Sequence, residues 1–226
     1  MNARRFLTEH EREAVEKAVS EAEKLTSAEI ICAIATESGR YERAITLMSI
    51  LSALVALLAA NFAGAALLTA PGSWSHAEGI PLTWQLAAVA GGFLAGAAAG
   101  IFWRSLRRPF IGRREMDEEV KRSSAFVYAL AKMGSTRQRG GVLIYLSLFE
   151  KSVLILADQG AEAVLGKEGA EELSETAAGH LRGRKHCEAF TVTIAAVAQK
   201  LKEGLPPEGE NPDELPNALL LYHPRP

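Results

Sequence analysis

Two apolar stretches, ITLMSILSALVALLAANFAGAALLTA at residues 45–70 and IPLTWQLAAVAGGFLAGAAAGIFW at residues 80–103, decide the architecture of this chain. Between Arg43 and Arg104 the sequence has a single charged residue, Glu78. Because an α-helix rises about 1.5 Å per residue, each stretch is long enough to cross a hydrocarbon core of about 30 Å. The sequence therefore predicts two transmembrane helices, in preference to a buried hairpin of a soluble protein or a cleaved signal peptide.

The charges that flank these stretches predict how the chain is oriented in a membrane. The connection at residues 71–79 contains no Lys or Arg, whereas Arg40 and Arg43 precede the first stretch and five arginines follow the second. Because Lys and Arg are enriched on the cytoplasmic side, both termini are predicted to be cytoplasmic. A second interpretation is that the five arginines bind anionic lipid head groups. We prefer the interpretation that they are a topology signal. The five are Arg104, Arg107, Arg108, Arg113 and Arg114.

Glycines at four-residue spacing form a smooth stripe on the second stretch. They are Gly92, Gly96 and Gly100, and a stripe of this kind permits the close approach of another helix backbone. We therefore predict that the two apolar helices pack against each other as a hairpin, with self-association of the protein through the glycine stripe as the alternative. Neither stretch contains Asp, Glu, Lys, Arg or His, so transport of ions or protons is not predicted.

The polar flanks on either side of the apolar stretches have the pattern of a mixed α/β domain. Thr8 and Glu11 have the spacing of a capping box, and a β-branched apolar run follows at residues 28–36. Residues 142–148 and 153–157 are continuous apolar runs that predict an antiparallel hairpin of two central strands. The predicted order is helix 8–25, strand 28–36, a helix that ends at Gly134, strands 142–148 and 153–157, helix 161–181, a helix that ends at Gly204, and an edge strand 218–222.

The predicted strand at residues 28–36 has too few residues around it to be covered by the first flank alone. The simplest arrangement is one α/β domain that is assembled from both flanks, with the transmembrane hairpin as an insertion between the first strand and the next helix. The predicted boundaries are 1–43 for the first part of the cytoplasmic domain, 44–70 and 80–103 for the transmembrane helices, 71–79 for the external loop, and 104–226 for the second part of the domain.

A run of residues after the second apolar stretch resembles the core signature of the TPM-domain family. It has the pattern T-x-x-R-x-G-V-L-I and leads into a hairpin that ends in Asp-x-Gly. The segments at 27–30 and 213–217 are also similar to segments of bacterial membrane-anchored members. The signature residues are Thr136, Arg137, Arg139, Gly141, Val142, Leu143, Ile144, Ser147, Glu150, Val153, Asp158 and Gly160.

This resemblance implies a compact α/β/α sandwich domain of the TPM type, tethered by its transmembrane hairpin to the bacterial inner membrane. Members of the family are linked to photosystem repair, to receptor modulation and, in some cases, to weak acid phosphatase activity. Because these roles differ from one another, the resemblance favours a membrane-anchored accessory module over any particular reaction.

Three carboxylates are candidate ligands of a divalent cation. Asp158 follows a predicted strand and Glu150 lies in the hairpin turn, at sheet edges where α/β proteins bind ligands. For Asp158 a turn-capping role is the alternative, and we prefer it. Glu29 opens the first strand and can share a cation with Asp158 only if the two strand ends are adjacent. The run from Gly160 to Lys167 does not have the spacing of a phosphate loop. The histidines do not have the spacing of zinc ligands.

A basic loop between two predicted helices is a further candidate contact. Arg182, Arg184, Lys185 and His186 lie in this loop. They either meet lipid phosphates or an acidic partner, or form a solvated helix connection.

Together these patterns predict a membrane-anchored binding or accessory module in membrane-protein assembly or quality control. Its expected partners are the lipid bilayer and other membrane proteins, while a net charge of -2 argues against a nucleic-acid binder. The enzyme alternative is a weak metal-assisted phosphatase that uses Asp158, Glu150 and Glu29 as ligands of a divalent cation. A third alternative is a purely structural hairpin that organises other membrane helices.

Overall fold

The computed structural model of the chain describes residues 2–68, 80–133, 140–207 and 218–226. Helices and strands occupy most of this length. In chain order the main elements are α1 (Glu9–Glu23), β1 (Ile30–Ala35), α2 (Glu42–Leu68), α3 (Leu82–Phe102), α4 (Arg104–Arg107), α5 (Arg113–Leu130), β2 (Val142–Ser147), β3 (Ser152–Ala157), α6 (Gln159–Arg182), α7 (His186–Gly204) and β4 (Leu220–Tyr222).

The chain divides into two compact units. The first, called the α/β unit below, combines Met1–Gly39 with Arg114–Pro226 and contains the four described strands. The second, called the helical unit, is Arg40–Arg113 and contains α2, α3 and α4. The α/β unit is therefore discontinuous in sequence, and the helical unit is continuous.

One four-stranded mixed sheet forms the centre of the α/β unit. Its strand order is β3-β2-β1-β4, with β1 parallel to both of its neighbours and β3 antiparallel to β2. Because β1 precedes the helical unit in the chain and its partners follow that unit, strands from both flanks share the sheet. The α/β class predicted from the sequence is confirmed.

Helices cover both faces of this sheet. Ile30, Cys32 and Ile34 of β1 pack into one core with residues of α1, α6 and α7. The intervening residues Ile31 and Ala33 face the opposite core, which residues of α5 complete. Because both faces of β1 are buried, its sequence is a continuous apolar run rather than an alternating one.

The strand β3 differs from its prediction. The predicted hairpin is confirmed, because β2 and β3 pair with Val142 opposite Ala157. The prediction that both strands are central is wrong for β3, which forms the edge of the sheet and has Ile155 as its one buried residue. The other apolar residues of β3 pack partly against both cores, which explains why an edge strand has a continuous apolar sequence.

Local signals set the ends of several elements. In the predicted capping box, Thr8 Oγ1 accepts a hydrogen bond from the N–H of Glu11 at 3.3 Å, and the Glu11 carboxylate accepts one from the N–H of Thr8 at 2.8 Å. α6 has a kink at Gly166, whose φ of 66° is a conformation that favours glycine. The predicted edge strand is confirmed as β4, which pairs with β1.

The helical unit contains two helices that are long and apolar enough to cross a membrane. The candidate spans are Glu42–Ala66 and Leu82–Phe102, with mean hydropathies of 2.1 and 1.6. Only 11% and 17% of these spans are buried. Most of their apolar side chains therefore point away from the rest of the unit.

The glycine stripe of α3 faces α2. Gly92, Gly96 and Gly100 are buried, and a Cβ atom on Gly96 would lie 2.8 Å from the carbonyl oxygen of Met48. On Gly92 it would lie 2.6 Å from the Cβ of Ala56. Because these distances leave no room for a side chain, the stripe sets how closely the two helices approach. Self-association through the same stripe would require α2 and α3 to separate.

Candidate functional site

The structure places the three candidate carboxylates at two opposite ends of the sheet. Ile30 and Ala157 pair with the same residue of β2, so Glu29 and Asp158 flank one end. Glu150 lies beyond the other end of β2, a strand of six residues that each advance the chain by about 3.3 Å. Among the described residues, no group of three or more His, Cys, Asp or Glu side chains could hold a metal ion. The ligand set expected from the sequence is therefore not assembled.

Asp158 caps the helix that follows it. Its Oδ1 accepts a hydrogen bond of 2.7 Å from the backbone N–H of Gln159, the first residue of α6. Gly160 lies in the first turn of the same helix. On α5, the pKa of Tyr128 is raised to about 12, first by burial and then by the charge of Asp158. The hydrogen bond to Gln159 is the contact expected of Asp158 in a capping role.

Glu29 is buried immediately before β1. Its carbonyl oxygen accepts a hydrogen bond of 2.8 Å from the N–H of Val142, which extends the pairing of β1 with β2 by one residue. Because β2 lies between β1 and β3, the strand ends that carry Glu29 and Asp158 are two spacings of about 4.8 Å apart. The two strand ends are therefore not adjacent, as a cation shared by Glu29 and Asp158 would require.

Glu150 is the centre of a buried polar cluster near the carboxyl ends of β1 and β2. Its Oε1 accepts hydrogen bonds from the backbone N–H groups of Ser38 at 2.9 Å and Gly39 at 3.4 Å. Its Oε2 accepts a hydrogen bond from the hydroxyl of Ser147. These contacts hold the segment after β1 against the turn between β2 and β3, so the structure shows Glu150 as a residue that fixes a loop.

Hydroxyl groups extend this cluster between the sheet and α5. Ser38 Oγ lies 2.8 Å from Ser147 Oγ and 3.0 Å from Tyr145 Oη, which in turn lies 2.8 Å from Ser123 Oγ. Each hydroxyl has one proton, and that of Ser147 points to Glu150. The hydroxyl groups therefore donate in one direction: Ser123 to Tyr145, Tyr145 to Ser38, and Ser38 to Ser147. Burial raises the pKa of Tyr145 and so keeps its hydroxyl protonated.

The sequence indicated Glu150 as a candidate ligand and Ser147 as a signature residue, but not the other members of this cluster. The available signal was Tyr145 within an apolar strand, because a buried tyrosine hydroxyl usually requires a hydrogen-bond partner. Ser38 and Ser123 have no distinguishing pattern, and they lie 107 and 22 residues from Tyr145 along the chain. Only the fold brings these hydroxyl groups together.

A cavity of about 780 Å³, called the basic cavity below, lies at the carboxyl end of β2. Basic residues from two separate parts of the chain line it: Lys151 from the turn between β2 and β3, and three residues where α6 ends and α7 begins. Most of the remaining lining is apolar, and its main members are Phe6, Leu146, Leu148, Ala178 and Leu181. The three residues from the helix connection are Arg182, Arg184 and His186.

The cationic side chains that line the basic cavity differ in their ion pairing from the neighbouring Lys185. The Nζ of Lys185 lies 2.8 Å from a carboxylate oxygen of Glu188, so this member of the predicted basic loop is paired. Within the described parts of the chain, Lys151, Arg182 and Arg184 form no ion pair. The sequence indicated the two arginines but not Lys151, which is distant from them in the chain.

The arginines that follow the second apolar stretch are not equivalent. Arg107 is buried, and its Nη1 donates a hydrogen bond of 3.3 Å to the carbonyl oxygen of Arg40. The guanidinium group of Arg107 is therefore held within the helical unit. Arg114 is exposed, and its Nε lies 3.1 Å from a carboxylate oxygen of Glu118. The other members are the half-buried Arg104 and Arg108 and the exposed Arg113.

Only part of the sequence signature lies within the described residues. A Cβ atom on Gly141 would lie 3.1 Å from the carbonyl oxygen of Met133, so close packing favours glycine at this position. Ser147, Glu150 and Asp158 have the contacts given above. Three signature residues, Thr136, Arg137 and Arg139, lie outside the described residues.

Comparison with known proteins gives a likeness in fold. The NMR structure of BA42 protein from the psychrophilic bacterium Bizionia argentinensis is similar to this chain, with a TM-score of 0.55 and 17% sequence identity. The match covers 95% of this chain and 94% of the other. No family model matches the sequence, and no curated protein matches it. At this identity the comparison supports the fold alone, so a proposal about function has to come from the residues of the chain itself.

Proposed function

We propose that this chain is a membrane-anchored binding module of the TPM type. It is an accessory to other membrane proteins in their assembly or quality control, and it resides in the bacterial inner membrane with both termini in the cytoplasm. The observation that carries the proposal is the outward apolar surface of α2 and α3. These two helices anchor the α/β unit to the bilayer.

Large apolar side chains cover this outward surface. On α2, Leu58 and Phe62 are 58% and 76% exposed, and on α3, Leu94 and Phe102 are 68% and 77% exposed. Each square ångström of apolar surface left in water forgoes about 25 cal/mol. Soluble monomers rarely expose contiguous apolar patches of more than about a few hundred Å². A hydrocarbon environment removes this cost, which supports insertion of both helices into a bilayer.

Charge and sequence signature support the remaining parts of the anchoring proposal. Arg40 precedes α2 and Arg43 lies in its first turn, and Arg104, Arg108 and Arg113 follow α3. Lys and Arg occur on both flanks and are missing from the connection at residues 71–79, which favours a cytoplasmic position for both flanks. The signature residues occur in the expected order, which supports the assignment to the TPM type.

A binding role is supported by the contents of the α/β unit. The basic cavity combines cations with apolar side chains, which is a lining typical of a ligand site. The phosphatase alternative needs Glu150, Asp158 and Glu29 around one cation, and the register separates Glu150 from the other two. That alternative therefore has no observation in its favour.

The anchoring is tested with the full-length protein in bacterial membranes. Reporters that are active only in the cytoplasm or only in the periplasm are fused to each terminus. We expect cytoplasmic reporters to be active at both ends, and the protein to remain in membranes after an alkaline carbonate wash. Release of the protein by the wash, or termini on opposite sides, would contradict the proposal.

The accessory role is tested by photo-cross-linking in the same intact membranes. A photoreactive residue at position 151, in the basic cavity, is expected to capture a recurrent membrane protein. A matched residue in place of the exposed Lys121 on α5 serves as the control and is expected to capture little. Equal capture patterns at the two positions would count against the cavity as the binding surface.

A further inference from the structure

The basic cavity supports an inference that deepens the proposed binding function and rests on it. We propose that this cavity binds a small organic phosphate or phosphonate, that is, a dianionic oxyanion group attached to an apolar body. The position of the cavity, its charges and its apolar lining each contribute to this assignment.

The cavity lies where α/β proteins place their ligands. Leu146 and Ser147 are the last residues of β2, which runs parallel to β1, so the cavity lies at the carboxyl end of a parallel pair. Its volume of about 780 Å³ lies in the range of small-molecule sites. Inorganic phosphate alone would leave most of this volume and its apolar lining unfilled, so the ligand has an organic part.

The charges around the cavity match an oxyanion with two negative charges. Lys151, Arg182 and Arg184 contribute three positive charges, and within the described residues none of them is in an ion pair. Each guanidinium group can offer two parallel N–H donors to two oxygens of one anion. A single carboxylate has too few oxygens and too little charge to occupy all three cations. A phosphate-type group provides both.

The start of α7 lies at the same wall. This helix begins at His186, which lines the cavity, and its N-cap residue Lys185 makes no side-chain capping hydrogen bond. The first N–H groups of a helix carry a partial positive charge that favours an anion. The ring of His186 stacks on Phe6 with the ring centroids 4.4 Å apart, so basic and apolar lining are in direct contact. The apolar body of the ligand lies against Phe6 and Leu181.

The test uses the full-length protein in nanodiscs of zwitterionic lipid and phenylphosphonate, a non-hydrolysable dianion on an aromatic ring. Calorimetric titration is expected to show binding of phenylphosphonate, weaker binding of inorganic phosphate and no binding of benzyl alcohol. The variant R182Q/R184Q is expected to bind phenylphosphonate about tenfold more weakly, or worse, because it loses the charged donors. The control K121Q/K202Q removes two exposed charges outside the cavity lining and is expected to bind as the wild type does.

A second variant separates the apolar part of the site from its charges. Ala178→Phe fills the apolar lining and leaves the cations in place. We expect it to lose phenylphosphonate binding and to retain binding of inorganic phosphate. Repeating the titration in nanodiscs that contain phosphatidic acid distinguishes two sources of the ligand: competition indicates a lipid head group, and unchanged affinity indicates a soluble organic phosphate.

Two results would overturn this assignment while leaving the membrane anchor intact. One is the absence of phenylphosphonate binding to wild-type protein that is folded and incorporated into nanodiscs. The other is equal affinity of the wild type and R182Q/R184Q. Failure of the wild-type protein to incorporate into nanodiscs would instead overturn the proposed function on which the assignment rests.

Discussion

The two units of this chain place apolar side chains in opposite ways. In the α/β unit, Ile34 and Ile194 are 0% exposed, whereas in the helical unit Leu58 and Phe62 are 58% and 76% exposed. Burial in the protein core stabilises the side chains of the α/β unit in water, by about 25 cal/mol for each Å² of apolar surface. The two side chains of the helical unit are mostly left uncovered by protein. The difference teaches that the apolar runs of the α/β unit are covered by protein, whereas those of the helical unit are left uncovered, as the proposed insertion into a bilayer requires.

Truncation of an apolar side chain tests this comparison with the largest expected effect. Ile34→Ala leaves a cavity between the sheet and three helices and is expected to lower the free energy of unfolding of the α/β unit by about 4 kcal/mol. The matched change Leu58→Ala removes an outward side chain and is expected to cost less than about 1 kcal/mol. Denaturant unfolding of the full-length protein in nanodiscs measures both. Equal costs would mean that Leu58 is packed against protein.

The glycine stripe gives the converse test within the helical unit. Gly96→Leu forces a side chain against the backbone of α2 and is expected to destabilise the helix pair by about 3 kcal/mol. Gly91→Leu is the control, because a Cβ atom at Gly91 has nothing within 4 Å. Thermal unfolding in a mild detergent compares the two variants with the wild type. If both leave the unfolding temperature unchanged, α2 and α3 are not packed through the stripe.

The α/β unit also contains the buried polar cluster around Glu150, which is held by hydrogen bonds. The described apolar surface of the helical unit has no comparable cluster. Glu150→Ala leaves the N–H groups of Ser38 and Gly39 and the hydroxyl of Ser147 without their acceptor, at an expected cost of about 2 kcal/mol. Glu150→Gln keeps an acceptor and is expected to cost less. The exposed Glu203 provides the control Glu203→Ala, with a change near zero. Urea unfolding measures the series, and a neutral Glu150→Ala would show that the cluster does not hold the loop.

The helix starts in the two units provide the smallest contrast. α1 begins with a side-chain cap, so Thr8→Ala is expected to cost about 1 kcal/mol. α3 begins after Pro81 without a side-chain cap, so Thr83→Ala in its first turn is expected to change stability by less than about 0.5 kcal/mol. The same unfolding measurement ranks the two variants. A larger loss from Thr83→Ala than from Thr8→Ala would contradict the assigned caps.

Much of the fold could be predicted from the sequence, because local patterns determine its elements. The capping box of α1 and the β-branched run of β1 are signals that depend on neighbouring residues alone. The central position predicted for β3 was wrong because an apolar run does not reveal whether a further strand lies beyond it. Only the strand order of the folded sheet shows that β3 is at the edge.

The candidate site could be predicted less well, because its residues come from distant parts of the chain. The basic loop at Arg182 and Arg184 was visible as a charge cluster, but Lys151 joins it only through the fold. The predicted hairpin already places Glu150 in its turn and Asp158 at its open end. Sequence order cannot show that β2 lies between the strand ends that carry Glu29 and Asp158.

The central claim is that α2 and α3 lie in a bilayer, and a spin label tests it most directly. A single label is attached at position 58 in a C32A/C187A background, and the protein is reconstituted into vesicles. Insertion predicts that the label collides more often with oxygen, which dissolves in hydrocarbon, than with a water-soluble nickel chelate. A label on the exposed Lys121 of the α/β unit is predicted to show the reverse preference. Higher accessibility to the nickel chelate at position 58 would contradict the claim.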